Sequence, residues 1–364
     1  MSMNSNLLFI VIISICLHSC GDKSITYKIP GMDDQYYFDD IKIHKGENIH
    51  NMARTETVSL DIPLCYDKSD SYTDFNTFLK DNNTLSFIIM KNDSIIYEEY
   101  FYDTLRHPRT PIFSITKSFV STLLGIAIDE GFIESIEDPI TNYIPDLYPF
   151  KDITLEMLLN MHSGLDCNMI MKDAEIYFSK DLDKHIEKYY IKDGYDSRFK
   201  YMNVNTLLLS IAIENACGIN LAEYLEDKLW QRAGMSKDAS WSVDCKEHNQ
   251  VKGFCGINAA PIDLVRFGSL YLNEGYYNGD QIIPKEWIKE SFKKQNKLKD
   301  DDGRYYSYSW RITEHGSLVA VGFLGQYVYI DPEKKMVIVR TGESYDNFDW
   351  IEFMEKIAYS VVEA

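Results

Sequence analysis

The sequence predicts an α+β fold, in which an antiparallel β-sheet flanked by helices carries an inserted all-helical subdomain at about residues 138–275. Three observations predict it. Short β-branched and aromatic runs lie toward both ends of the chain, apolar helical patterns fill its middle, and an amphipathic helix closes it. The 364 residues suffice for one large domain with an insertion.

The first residues, "MSMNSNLLFIVIISICLHSC", hold an apolar run from Leu7 to Leu17. It is shorter than the roughly 20 residues of a membrane span and fits the core of a signal peptide. "LHSC" resembles a bacterial lipobox, which would make residues 1–20 a lipoprotein signal ending at Cys20, the lipidated residue. The expectation is therefore an exported chain at the bacterial cell envelope, held to the membrane by a lipid; a plain secretory signal or a short anchor is the alternative. Residues 21–80 are polar and weakly periodic, and read as a tether and N-terminal extension before a domain spanning 81–364.

Two β-rich runs flank "KNDS" in "TLSFIIMKNDSIIYEEYFY", which predicts a hairpin. From Thr116 the apolar residues Phe119, Val120, Leu123, Leu124, Ala127 and Ile128 recur at helical spacing up to Gly131. Being apolar nearly all round, that helix should be central. "ITLEMLLNMHSGL" predicts a helix ending at Gly164, "NVNTLLLSIAIENACGINLAEYLEDKLWQRAGM" two helices parted at Gly218, and "PIDLVRFGSLYLNEG" another. "YYSYSWRI", "SLVAVGFLGQYVYIDP" and "MVIVRTGE" predict strands, and "FDWIEFMEKIAYSVVEA" the closing helix.

Ser114 and Lys117 in "PIFSITKSF" stand one helical turn apart, so the amine can reach the hydroxyl. Serine needs a base, and lysine becomes one only when burial or a neighbouring cation pulls its pKa down from about 10.4. The apolar helix supplies burial, and its N-terminal amides offer donors for an oxyanion. The same spacing at Ser197/Lys200 and Ser291/Lys294 lacks that setting. Without the context, Ser114 would read as an N-cap serine beside a snorkelling lysine.

A formal net charge of −19 with no basic stripe argues against nucleic acid as a partner. The eight histidines form no metal-ligand pattern, so neither metal nor other cofactor is implied; His162 reads as a hydrogen-bonding loop residue. Beyond the leader five cysteines are scattered without Cys-x-x-Cys spacing, and Cys245 with Cys255 could form a bridge.

From about Thr84 onward the chain resembles the serine β-lactamase and penicillin-binding-protein superfamily, in its class-C-like branch of esterases, D-amino peptidases and amide hydrolases. The resemblance rests on "FSITKSFVSTLLGIAIDEGFI", "EDPITNYIPDL", "ITLEMLLNMHSGL", "RFKYMNVNTLLLSIAIENACG" and "INAAPIDLVRFGSLYLNEGYYNGDQIIPKEW", in that order. It implies a β-lactamase/transpeptidase-like fold, with Ser114 as nucleophile, Lys117 as its partner, Tyr201 as proton carrier and Asn203 near Lys117 or the substrate. Tyr-x-Asn also occurs at Tyr271/Asn273, Tyr276/Asn278 and Tyr345/Asn347, but only Tyr201 precedes a helix at the matching position.

The third motif departs from the family pattern. Where a Lys-Thr-Gly or His-x-Gly strand is usual, this chain has "VGFLGQ", with Phe323 in place of the cation. Gly325 would let substrate lie against the strand, and the amides of Ser114 and Gln326 would form the oxyanion hole. Arg340 on the next strand is a candidate replacement cation. The expected activity is hydrolysis of a small amide, ester or peptide through an acyl-enzyme. A D,D-peptidase or β-lactamase, and a non-catalytic binding or sensor domain, are the alternatives.

Overall fold

The computed structural model describes residues 29–55, 58, 60–62, 74–101, 109–168, 172–192, 198–294, 299–344 and 348–361. The leader with Cys20, and Cys65, Ser197 and Tyr345/Asn347, lie outside the described residues.

Eight strands form the main sheet: β1 (Ala53–Arg54), β2 (Thr84–Lys91), β3 (Ser94–Tyr100), β4 (Tyr305–Ser307), β5 (Trp310–Ile312), β6 (Leu318–Gly322), β7 (Gln326–Asp331) and β8 (Met336–Gly342). Their order is β4-β5-β6-β7-β8-β2-β3-β1, so N- and C-terminal strands meet where β8 pairs with β2. All the pairs are antiparallel except β1 with β3. The "KNDS" turn joins β2 to β3 with Asn92 and Asp93 both at positive φ, as a two-residue hairpin loop requires.

Alternation along the strands divides the core in two. Ile88, Met90, Val328, Ile330, Val337 and Val339 face a core shared with the helices α2 (Thr116–Asp129), α3 (Asn203–Cys217) and α4 (Pro261–Leu272). Phe87, Ile89, Tyr329 and Ile338 face α1 (Phe75–Asp81) and α5 (Trp350–Ser360). This period of two places helices on both faces of the sheet.

Three features differ from expectation. The region read as a tether contributes structure: Asp40–Ile43 pairs with Ala239–Ser242, and α1 buries Phe78 and Leu79 completely. The insertion is not all-helical, because Leu165–Cys167 pairs with Tyr189–Ile191 and the strand Ala239–Ser242 pairs with Ile257–Ala259. Its end falls before α4, whose Gly268 backs onto Val337 of the main sheet. A Cβ there would come within 2.6 Å of the valine.

Arg340, expected as a replacement cation, is instead a structural clamp. It is fully buried on β8, and donates from Nε to Thr84 Oγ1 (3.0 Å), from Nη1 to the Gly325 carbonyl (2.7 Å) and from Nη2 to the Asn82 carbonyl (2.7 Å). Its Cζ also lies 3.7 Å from the Trp350 ring centroid. One planar fork thus ties the β6–β7 hairpin to the start of β2 and to α5. Arg340→Lys should cost ~3 kcal/mol, since a point charge cannot meet three divergent acceptors and leaves buried carbonyls unpaired. Denaturant unfolding checks this, and a loss under ~1 kcal/mol would contradict the clamp.

Candidate active site

Ser114 sits in a single 3₁₀ turn, Phe113–Ile115, immediately before α2. From Thr110 to Ala127 every residue is buried except Ser114, which is half-buried. An otherwise sealed element therefore presents one hydroxyl. The turn is strained, because Phe113 is a bulky residue at φ +46°. Its ring packs edge-on against Phe323 (centroids 5.8 Å apart) and near Tyr177 (6.4 Å). Ile112 N–H donates to the Ile257 carbonyl and Ile257 N–H to Thr116 Oγ1, which fastens the turn to the strand Ile257–Ala259.

Lys117 is 1% exposed, and its Nζ reaches Ser114 Oγ (3.0 Å), Asn203 Oδ1 (2.8 Å) and the Phe254 carbonyl (2.8 Å). Asn203 opens α3, and its Nδ2 donates to Asp173 Oδ1 at 3.1 Å. A carboxylate only accepts when ionised, so Asp173 turns the amide oxygen toward Lys117. The structure thus brings together Ser114, Lys117 and Asn203. Tyr201, two residues before α3, lies with its ring centroid 4.9 Å from Lys117 Nζ. Among the described residues its hydroxyl makes no hydrogen bond.

The strand beside the nucleophile is arranged differently from the sequence reading. Gly322, not Gly325, is the glycine pressed against the nucleophile's turn: a Cβ there would stand 2.4 Å from the Ile112 carbonyl oxygen. Gly325 lies in the hairpin turn at φ +83°, backed by Arg340 Nη1. Gln326 is completely buried, and its Nε2 donates to the Phe323 (3.2 Å), Leu324 (3.3 Å) and Gly342 (2.7 Å) carbonyls. Gln326 and Gly325 therefore shape the hairpin, and Phe323, the residue after Gly322, stands 38% exposed beside Phe113. On its other side, among the described residues, β6 pairs with β5 only at Leu318 and Val319, leaving Ala320 to Gly322 unpaired on that edge.

The rival pair Ser291/Lys294 is not assembled, and Ser197 of the other lies outside the described residues. Ser291 Oγ donates to the Trp287 carbonyl while Lys294 Nζ donates to the Glu314 carbonyl. Lys200 pairs with Asp166 at 2.8 Å. His162 Nε2 lies 2.9 Å from Glu156 Oε2. Cys245 and Cys255 are both free thiols, so the suggested bridge is absent.

Several contributors were not singled out in the sequence: the Phe254 carbonyl, Asp173, Gly322, and the segment Gly31–Ile43. This segment packs against Gln326 of the hairpin and Tyr177 of the insertion. Met32 Sδ is 3.9 Å from Gln326 Nε2, and Phe38 packs edge-on against Tyr177 at 5.3 Å. Behind it Lys252 is fully buried, with Nζ donating to the Tyr177 and Ser179 carbonyls (2.9 Å each) and lying 4.6 Å from the Phe38 ring centroid. An acidic composition and apolar flanks gave no local signal for such contacts.

A sheet covered by helices on both faces, with a mainly helical insertion supplying Tyr201 and Asn203 opposite a serine–lysine turn, is a β-lactamase/transpeptidase-like fold. The chain belongs to the Beta-lactamase family, whose model matches residues 77–345, within the serine β-lactamase and penicillin-binding-protein superfamily. It is 24% identical over 294 residues to the 6-aminohexanoate-dimer hydrolase of Paenarthrobacter ureafaciens, covering 73% of this chain and 74% of that one. A candidate 6-aminohexanoate-dimer hydrolase structure from Bacillus anthracis superposes with a TM-score of 0.80 at 24% identity, covering 89% of this chain and 90% of the other. A penicillin-binding protein structure from Bacillus halodurans gives 0.64 at 16% identity, covering 78% and 99%.

Burial lowers the Lys252 amine to about 8. An unfolded lysine titrates near 10.4, so between these values the unfolded chain holds the extra proton and folding is favoured as pH rises. Relative to Lys252→Met, the wild type should therefore gain about 2 kcal/mol of stability from about pH 7.5 to 10. Paired urea titrations read this, and a pH-independent difference would refute it.

Proposed function

We propose that the protein is a serine hydrolase that opens a small amide or ester through an acyl-enzyme. The observation that carries this reading is the 3.0 Å approach of Lys117 Nζ to Ser114 Oγ, at the one accessible residue of a buried element. The Phe254 carbonyl and Asn203 Oδ1 can only accept, so they take two N–H groups of Lys117. The third contact suits either an ammonium donating to Ser114 Oγ or an amine accepting its proton.

In the reaction Ser114 Oγ attacks the substrate carbonyl carbon, and its proton passes to the Lys117/Tyr201 pair. The backbone amides of Ser114 and Phe323 receive the oxyanion, Phe323 replacing Gln326 because Gly322 is the glycine at the nucleophile's turn. The proton then goes to the leaving nitrogen or oxygen as the acyl bond breaks, and water releases the acyl group. Asn203 is a positioning residue for Lys117. The name of the Paenarthrobacter relative supports a linear amide as substrate. With Gly322 as the motif's glycine, the cation position two residues before it is held by Ala320, and with Arg340 enclosed this argues against a D,D-peptidase or β-lactamase that grips a carboxylate there.

We also propose that Cys20 is lipidated and holds the enzyme at the cell envelope. Among the described residues no single helix is long and apolar enough to cross a membrane. Metabolic lipid labelling should disappear in Cys20→Ser, and unchanged labelling would refute the anchor.

Mass spectrometry after exposure to a fluorophosphonate, a penicillin and a p-nitrophenyl ester tests the chemistry. Adduct or turnover should vanish in Ser114→Ala and persist in Ser197→Ala. Absence of every adduct and of ester turnover would favour a binding domain, while rapid penicillin turnover would favour a β-lactamase. Asn203→Ala should lower kcat about 100-fold, with little change in KM, by loosening the buried amine.

A further inference from the structure

Arg311 belongs to none of the motifs that mark the site. It lies on β5, paired with Tyr306 of β4 and Val319 of β6. Its Cζ stands 5.7 Å from the ring centroid of Tyr201, and Lys117 Nζ stands 4.9 Å from the same centroid. Tyr201 is thus flanked by cations from two unrelated elements.

The Arg311 side chain is 20% exposed, and its Nε donates to Asp300 Oδ2 at 2.8 Å. The other oxygen of Asp300 accepts the backbone N–H groups of Asp302 and Arg304. Among the described residues the two Nη groups of Arg311 make no hydrogen bond. Burial opposes the Arg311 charge, but Tyr201 and then Asp300 outweigh it and hold the guanidinium above its ordinary value.

We infer that Arg311 is the second cation of the site, stabilising negative charge on Tyr201 Oη so that Tyr201, ionised, takes the proton from Ser114. This rests on the proton-carrying role of Tyr201 in the reaction proposed above. Lys117 alone is a poor guarantor of that charge, since its donors are already shared among Ser114 Oγ, Asn203 Oδ1 and the Phe254 carbonyl. A guanidinium stays charged at every working pH. In the step itself the Ser114 Oγ–H proton goes to the Tyr201 oxygen while Oγ bonds the carbonyl carbon, and Tyr201 returns the proton to the leaving atom.

Among the described residues the groups facing Tyr201 are few. Lys117 comes from α2, Arg311 from β5, and Tyr306 from β4 with its ring edge-on at 6.3 Å; Phe199 contributes an uncharged ring at 6.5 Å. Burial, and then Tyr201 itself, raise the Tyr306 phenol well above its usual range, so it remains neutral. The carboxylates nearby are committed, Asp300 to Arg311 and Asp173 to Asn203.

Two measurements test Arg311 as a positioning residue acting through Tyr201. One is the pH profile of kcat/KM for a p-nitrophenyl ester. The other is the tyrosinate absorption that distinguishes wild type from Tyr201→Phe, which needs no turnover. In Arg311→Gln the acid limb and the tyrosinate difference should both move up by about 1–2 pH units, whereas Arg311→Lys keeps both nearly in place. Should Arg311→Gln fail to fold, Asp300→Asn/Arg311→Gln removes the ion pair as a unit and is read the same way. Unmoved curves, even with a slower rate, would overturn the inference. If wild type shows no Ser114-dependent turnover, the proposed reaction fails, and the tyrosinate titration still decides the effect of Arg311.

Discussion

One buried amine organises this molecule. Taking a lysine from water into a core costs several kcal/mol unless its donors are met by well-placed acceptors. Lys117 meets three, and they come from the turn before α2, the first residue of α3 and a loop ahead of the strand Ile257–Ala259. Turn, insertion helix and loop must therefore all be in place before the amine is satisfied. The strained Phe113 fits the same logic, because only a rigid surround keeps such a backbone in place.

Much of this was legible in the sequence, for reasons that can be named. α2 is apolar over almost its whole length, and that unusual pattern marked both its central position and the serine at its head. β2 and β3 announced themselves through "KNDS", whose residues tolerate the positive φ of a tight hairpin. Ser114 and Lys117 were readable because one helical turn fixes their relative places, and Asn203 because its segment resembles a motif of the family.

What escaped the sequence depended on tertiary proximity. The glycine of the strand motif was assigned to Gly325, since "GFLGQ" offers two glycines and spacing cannot say which meets a carbonyl; Gly322 does. Arg340 was placed in the cleft because β8 neighbours β7, but pairing alone does not tell which side of a sheet an arginine serves. The Phe254 carbonyl carries no side-chain signature at all. The segment before residue 62 looked like a tether because its contacts, Phe38 with Tyr177 and Asp40–Ile43 with Ala239–Ser242, join residues far apart in the chain.

That segment also sets an order of events. Residues 31–43 leave the ribosome early, yet the surfaces they rest on, Tyr177, Ala239–Ser242 and Lys252, are made up to two hundred positions later. Through that interval its apolar side chains have nothing to cover. The contacts of Lys117, by contrast, are complete within residues 114–254. Both sets of partners therefore exist once residue 254 has been made, while the strand carrying Gly322 and Phe323, which completes the site, is made later than either.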